Sequence, residues 1–306
     1  MKKKRNQHPK RKQDLQQLKL IKYIVKGDTT LDNFLIQIFP EKSKTAIKQL
    51  LQGRYIQIDN QIITQFNYPL NKQQEVFISK TPITKKEDTF IDILHEDDEI
   101  IIINKPSGLL SMASETEKNK TAYHLVKLYL QKKNYKSKIF IVHRLDRDTS
   151  GILMFAKNEN IKRLLQENWN DLVTKRGYVA IVEGRLKNSK DTIKSYLVET
   201  KTQLVYSTNN SQNGKLAITN YQTINQSNKF SLLDVSLDTG RKNQIRVHMQ
   251  DLGHSIIGDK KYGAKTNPLN RLGLHAHKLE FTHPITKKKI VIKTMIPKEF
   301  IQLFNN

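Results

Sequence analysis

Cysteine is missing from the 306-residue chain, which excludes disulfide bridges and thiolate-ligated zinc and gives no sign of an oxidising compartment. Long apolar runs are missing too. None approaches the roughly 18 residues that a membrane-spanning helix needs, and no apolar segment follows the basic N-terminus as a secretory signal requires. Acidic residues are scarce, 29 against 53 basic ones, for a formal net charge of +24. Such an excess repels itself in a compact fold, and a polyanionic partner is the usual compensation. Several catalytic signatures are also absent. There is no G-x-x-x-x-G-K-[ST] loop and no G-x-G-x-x-G after a strand, so neither nucleoside triphosphates nor dinucleotides are indicated. No G-x-S-x-G elbow or H-E-x-x-H helix occurs. His248, His254 and His283 lie near one another in sequence but have no carboxylate at matching spacing, so no metal site is expected. The expectation is a cytoplasmic protein that uses no membrane, metal or nucleotide cofactor.

The basic excess begins at once. Residues 1–12 carry seven lysines and arginines and no acid, too polar a stretch to form a core. Residues 1–20 read as a disordered basic tail that can touch phosphates without reading sequence. A compact unit is expected over 21–80. Thr30 and Asp32 open a helix with Leu31, Phe34, Leu35 and Ile38 as its apolar positions, and Pro40 stops it. Ser43 caps a second helix whose Ala46, Ile47, Leu50 and Leu51 share a face, with Gly53 in the position of a C-terminal cap. Tyr55 to Ile58, Ile62-Ile63 and Val76 to Ile78 read as short strands, with a turn at Asp59-Asn60. Residues 81–88, polar and holding Pro82, read as a linker to one large unit over 89–306.

In that unit, strands are expected at 90–94, 100–104, 152–156, 178–183, 195–199, 216–223, 231–237 and 290–292. Helices are expected at 123–129, 161–169 and 243–252. Many strands and few long helices give an α+β class with a mainly antiparallel sheet.

The chemistry centres on His143 to Lys157, H-R-L-D-R-D-T-S-G-I-L-M-F-A-K. A charged loop and a turn-forming cluster lead into an unbroken apolar run, so the loop's exit is held by a core strand. Carboxylates serve as nucleophiles towards sugar anomeric carbons. An arginine can aim such a group and keep it charged through a bidentate pair, and a buried tyrosine can stack on a base and move a proton. Asp146, Arg246 and a tyrosine are candidates for these roles. Spacing alone does not bring them together, and Asp146 by itself reads equally well as a turn or capping acid.

H-R-L-D-R-D-T-S-G-I-L resembles the signature of the RluA-type pseudouridine synthases, which isomerise uridine in ribosomal and transfer RNA. The related RsuA-type branch resembles G-R-L-D here, so His143 separates the two. Further stretches agree in order: D-D-E-I-I-I-I-N-K-P-S-G-L-L, K-R-G-Y-V-A-I-V-E-G, the run T-G-R-K-N-Q-I-R-V-H-M-Q-D-L-G-H-S-I-I-G-D-K-K-Y-G, and L-H-A-H-K-L-E-F-T-H-P. The chain departs from the family pattern at Leu110 to Ala113, at Asn243, and at His254-Ser255.

The resemblance implies the pseudouridine synthase catalytic fold, a cofactor-free isomerisation, and a site of Asp146, Tyr178 and Arg246 with Asp148 in support. It implies that Arg144 fills the space left in the RNA by a flipped-out base, with His143 and Lys105 grouped beside it as RNA-contacting residues, although Lys105 and Pro106 are expected to shape the floor of the site rather than take part. Upstream, L-D-N-F-L, S-K-T-A-I-K-Q-L-L and G-R-Y-I-Q-I-D-N-Q-I resemble the α-L, or S-four-type, RNA-binding module. That likeness implies RNA contacts from Lys44, Lys48 and Arg54. RNA is therefore the expected partner of a monomeric enzyme. Large-subunit (23S-type) ribosomal RNA is favoured because the module is appended, and transfer RNA is the alternative. A non-catalytic RNA-binding ribosome-assembly factor would keep the fold without needing the three site residues.

Overall fold

The computed structural model describes residues 20–59, 61–80, 91–115 and 117–304. The expected basic tail, apart from Leu20, and the expected linker at 81–88 lie outside the described residues. The chain divides into two compact units, Met1–Asp88 and Thr89–Asn306.

The first unit runs β1 (Leu20–Ile24), β2 (Thr29–Thr30), α1 (Leu31–Ile38), α2 (Lys44–Gln52), β3 (Ile56–Ile58), β4 (Gln61–Ile62), β5 (Pro69–Leu70) and β6 (Glu75–Ser79). An antiparallel sheet of order β1-β6-β3-β4 shares one core with the helices, where Leu31, Leu35, Ile47 and Leu51 meet Ile56, Ile58 and Val76. Ser43 caps α2, its Oγ accepting from the Ala46 N–H at 3.2 Å. Thr30 makes no side-chain cap on α1. The carbonyls of Tyr68 and Phe66 take the first helical N–H groups of Leu31 and Asp32 instead, at 2.9 and 3.1 Å. Gly53 is the C-terminal cap of α2, as expected, with a right-handed φ of −74°, and Arg54 after it takes the positive φ of 61°. A Cβ at 53 would overlap the Tyr55 ring as now placed, so a larger residue would have to displace that ring.

The second unit is built on an eleven-stranded sheet. Its elements are β7 (Asp92–Glu96), β8 (Ile100–Lys105), α3 (Ala122–Lys133), β9 (Phe140–Ile141), β10 (Ser150–Ala156), α4 (Glu159–Glu167), α5 (Trp169–Leu172) and β11 (Val173–Glu183). There follow β12 (Lys190–Glu199), β13 (Val205–Thr208), β14 (Lys215–Gln226), β15 (Phe230–Leu237), α6 (Gln244–Asp251), a 3-10 turn (Lys260–Tyr262), β16 (Leu274–Thr282), β17 (Lys289–Lys293) and α7 (Lys298–Gln302). The strand order is β13-β12-β14-β15-β11-β16-β10-β8-β7, with β17 on β16 and β9 on β10. β10 and β16 run parallel, and the other pairings along this path are antiparallel. The result is the expected α+β class with a mainly antiparallel mixed sheet.

β8 and β10 read as unbroken apolar runs because both of their faces are covered. Ile102, Ile152 and Met154 pack with Ile161 and Leu165 of α4. On the other face, Ile101, Leu153 and Phe155 pack with Ala122, Val126 and Leu130 of α3. The central β16 was not among the expected strands, since His275, His277 and Lys278 interrupt the apolar alternation of Leu274, Ala276, Leu279 and Phe281. The helix expected over 161–169 breaks at Asn168 into α4 and α5.

Register places the site. Gly151 of β10 pairs with Ala276 of β16, and Ala276 pairs on its other side with Tyr178 of β11. One row across three strands thus joins the end of the Asp146 loop to Tyr178. Gly151 has a φ of +112°, and a Cβ there would overlap the Ala276 carbonyl. Only glycine lets β10 and β16 meet at this point. Among the described residues no helix is long and apolar enough to cross a membrane.

Candidate active site

Asp146 lies on the loop that ends in β10, beside a cleft of about 230 Å³. Arg144, Thr149, Tyr178, Arg241, Lys242, Asn243 and Arg246 also line this cleft. The three residues singled out as the chemical trio therefore face one space, although Asp146 and Arg246 are 100 residues apart in sequence.

Arg246 reaches the cleft from α6, which is anchored by Ile245 and Met249 in one core cluster and Val247 in another. Its Nη1 donates to Asp146 Oδ2 at 3.1 Å. The expected bidentate pair is not with Asp146. Nε and Nη2 fork onto Oδ2 and Oδ1 of Asp259, both at 2.7 Å, so the guanidinium is already clamped when it meets Asp146. The Tyr262 ring lies under it, 4.8 Å from Cζ to the ring centroid. Burial disfavours the Arg246 charge, but the bonds from Asp259 and then Asp146 outweigh it and hold the group above its ordinary pKa. Asp259 and Tyr262 were not singled out in the sequence. Both stand in the quoted G-D-K-K-Y-G run, yet no spacing there distinguishes a clamp from a turn acid.

Tyr178 packs against two core clusters of β11 and its neighbours. Burial pushes its phenol up to about 12, with the nearby Arg176 charge acting the other way and Asp146 adding to the rise. The hydroxyl thus keeps its proton at neutral pH and is a donor, not a tyrosinate. A carboxylate held by a preset guanidinium, facing a protonated phenol, is equipped to act at a sugar carbon while the phenol attends the base.

The family described as RNA pseudouridylate synthase matches residues 99–251. The chain belongs to this family. The enzyme is 34% identical over 267 residues to the uncharacterized RNA pseudouridine synthase YhcT of Bacillus subtilis, covering 85% of this chain and 88% of the relative. Ribosomal large subunit pseudouridine synthase D of Borreliella burgdorferi is 33% identical over 251 residues, covering 78% and 77%. The tRNA pseudouridine synthase C of Haemophilus ducreyi is 35% identical over 247 residues, covering 70% of this chain and 95% of its own. Among solved structures, human RNA Pseudouridylate Synthase Domain Containing 4 superposes with a TM-score of 0.57 over 69% of this chain and 90% of its own. At 22% identity that is a likeness of fold.

Within this synthase, Asn243 shows how a departure from the family pattern is accommodated. It sits left-handed at the start of α6, with φ 55°, a conformation asparagine tolerates well. Its Oδ1 accepts from Arg246 Nη1 at 3.2 Å and its Nδ2 donates to the Tyr262 hydroxyl at 2.8 Å. The side chain therefore joins the same clamp.

Two residues grouped with the RNA contacts make hydrogen bonds within the protein. Lys105 is fully buried, and its ammonium donates to the carbonyls of Pro106, Leu109 and Arg147 at 2.9, 2.7 and 2.9 Å. All three donors are used, so none is left for RNA. Burial pushes Lys105 down to about 7, against the pull of the Asp148 and Asp146 carboxylates. His143 Nε2 accepts from the Met154 N–H at 3.1 Å and its ring lies 5.0 Å from that of Trp169. Burial, then the Arg176 charge, push it down to about 4, and the neutral ring covers β10 between its short pairings with β16 and β9. Arg144, by contrast, is exposed at the cleft rim. Lys44, Lys48 and Arg54 are exposed on and just after α2 in the first unit. His248, one of the histidines weighed as a metal ligand, is buried between Ser195 Oγ and Thr219 Oγ1 at 3.0 and 2.8 Å.

Proposed function

We propose that this enzyme converts uridine to pseudouridine in large-subunit ribosomal RNA through an Asp146-dependent, cofactor-free route. The reaction breaks the N1–C1′ bond, turns the uracil and joins C5 to C1′. C5 releases a proton and N1 regains one, so nothing is consumed. Asp146 acts at the ribose, either by attack on C1′ or by removing the 2′ proton. Arg246 holds that carboxylate in line, and Tyr178 stacks on the extruded uracil and serves the proton transfer. Arg144 occupies the gap left in the RNA, where unstacking costs a few kcal/mol. The observation that carries this reading is the 3.1 Å bond between Arg246 and Asp146 in a cleft that Tyr178 also lines.

The choice of ribosomal RNA rests on the first unit. Its two helices on a small antiparallel sheet, with Lys44, Lys48 and Arg54 exposed, suit an α-L module that grips phosphates without reading bases. The relative named for transfer RNA uses 95% of its own length to cover 70% of this chain, leaving little of it to match a module of this kind. Mapping pseudouridine in RNA from cells with and without the protein tests the choice. Loss of a site in large-subunit RNA supports it; loss confined to transfer RNA overturns it.

A further inference from the structure

The Asp146 loop has no ladder of its own. Leu145 to Thr149 lie between strands, so their backbone groups need partners from elsewhere if Asp146 is to stay aimed. Four successive carbonyls each have one. The Leu145 carbonyl accepts from Ser111 Oγ at 2.7 Å, and that of Asp146 from the Thr149 N–H at 3.2 Å. The Arg147 carbonyl accepts from Lys105 Nζ at 2.9 Å, and that of Asp148 from Ser107 Oγ at 2.7 Å. Three of the four donors come from one seven-residue stretch, Lys105 to Ser111, which continues out of β8 beside β10. Ser111 does more than the others. Its Oγ also accepts from the Leu145 N–H at 3.1 Å, so one buried hydroxyl takes both polar backbone groups of the residue before Asp146.

We infer that Ser111 is a positioning residue for Asp146, fixing the aspartate's backbone by a two-way hydrogen bond to Leu145. Ser111 stands where this chain departs from the family pattern, in Leu110-Ser111-Met112-Ala113, and it does not itself line the cleft, which it meets only through Leu145. It is 3% exposed, so removing the hydroxyl leaves the two backbone groups without their partner in the interior. The Leu145 N–H and carbonyl would then relax towards other partners, and the Asp146 carboxylate would move with them. Arg246, clamped on Asp259, would not follow. Displacement of a reacting group by about 1 Å costs on the order of a hundredfold in rate.

The inference rests on the proposed role of Asp146, and the test separates the two. C5-tritiated total RNA from cells lacking the protein is mixed with enzyme in saturating excess, and tritium release is followed over a single turnover. Under those conditions the rate constant reports chemistry and not the fraction of folded molecules. Ser111→Ala is expected to lower that constant by about tenfold to a hundredfold, with affinity for the same RNA within about twofold of the parent. Ser111→Thr, which keeps the hydroxyl, is expected to recover most of the rate. A rate constant for Ser111→Ala equal to the parent's overturns the inference, as does an equal loss in Ser111→Thr when both variants melt like the parent. Asp146→Asn in the same assay isolates the underlying reading. If it still releases tritium at the parental rate, that reading fails, whatever Ser111 does.

Discussion

Arg246 gives its two-pronged face to Asp259 and only a single N–H to Asp146. The division suits the proposed role of Asp146. A guanidinium that owed both bonds to the reacting carboxylate would lose its anchor whenever that carboxylate engaged the ribose. On the proposed route, a guanidinium clamped from behind by Asp259 and lying over the Tyr262 ring would stay in place while Asp146 acts.

Asp259 should therefore matter for both folding and rate. It is 2% exposed, and removing one partner of a buried pair costs about 3–5 kcal/mol. Urea denaturation of Asp259→Ala should show a loss of that size, and Asp259→Asn a smaller one. The asparagine variant should still turn over at least about tenfold more slowly, because Arg246 is free to swing onto Asp146.

Tyr178→Phe should separate ring from hydroxyl. The hydroxyl has no hydrogen-bond partner among the described residues, so stability should change by no more than about 0.5 kcal/mol. Single-turnover rate should fall by about 10²–10⁴ if the phenol handles a proton. Since burial raises this phenol to about 12, the parental pH–rate profile should show no deprotonation of Tyr178 between pH 7 and 10.

His275 should make the fold acid-sensitive. It is 3% exposed, its Nδ1 pairs with Ser150 Oγ at 2.7 Å and its Nε2 with Thr294 Oγ1 at 2.8 Å. Burial, and the charges of Arg271 and His277, push it down to about 4 from 6.5. A depressed histidine pKa favours the neutral folded form. Its contribution is complete above pH 6.5 and is lost as pH falls through about 4, amounting to about 3 kcal/mol. Stability should be lower at pH 4.5 than at pH 7.5, with His143 adding to the loss, and the difference should shrink but not vanish in His275→Gln.

The first unit should appear in salt dependence. Replacing Lys44, Lys48 and Arg54 together by glutamine should flatten the log–log slope of RNA affinity against salt by about two to three. A filter-binding titration across salt concentrations measures it, and an unchanged slope would remove these residues from the RNA interface.

How much of this was legible in the sequence depends on the range of the forces involved. Local signals carried well: the Ser43 cap, the apolar run of β10, and the helix at Gln244–Asp251 are all present. What did not carry is the adjacency of Asp146, Tyr178 and Arg246, because it depends on the register of β10, β16 and β11, and β16 hides behind its histidines and lysine. Family likeness supplied that adjacency, not spacing. The Asp259 fork was invisible for a related reason. An acid before a tight turn has the same signature whether it caps Tyr262, as Asp259 does at 3.3 Å, or also clamps an arginine from another helix. Lys105 shows the opposite limit: a basic residue beside an active-site motif reads both as an RNA contact and as part of the site floor, and only its burial, with the ammonium on the Arg147 carbonyl, favours the second.

Asp146→Asn tests the central claim most directly. The substitution keeps the shape of the side chain and an acceptor for Arg246, so the variant should fold and bind RNA like the parent. With C5-tritiated RNA as substrate and enzyme in excess, it should release no tritium and form no pseudouridine. Turnover at the parental rate in a folded Asp146→Asn enzyme would contradict an Asp146-dependent mechanism outright.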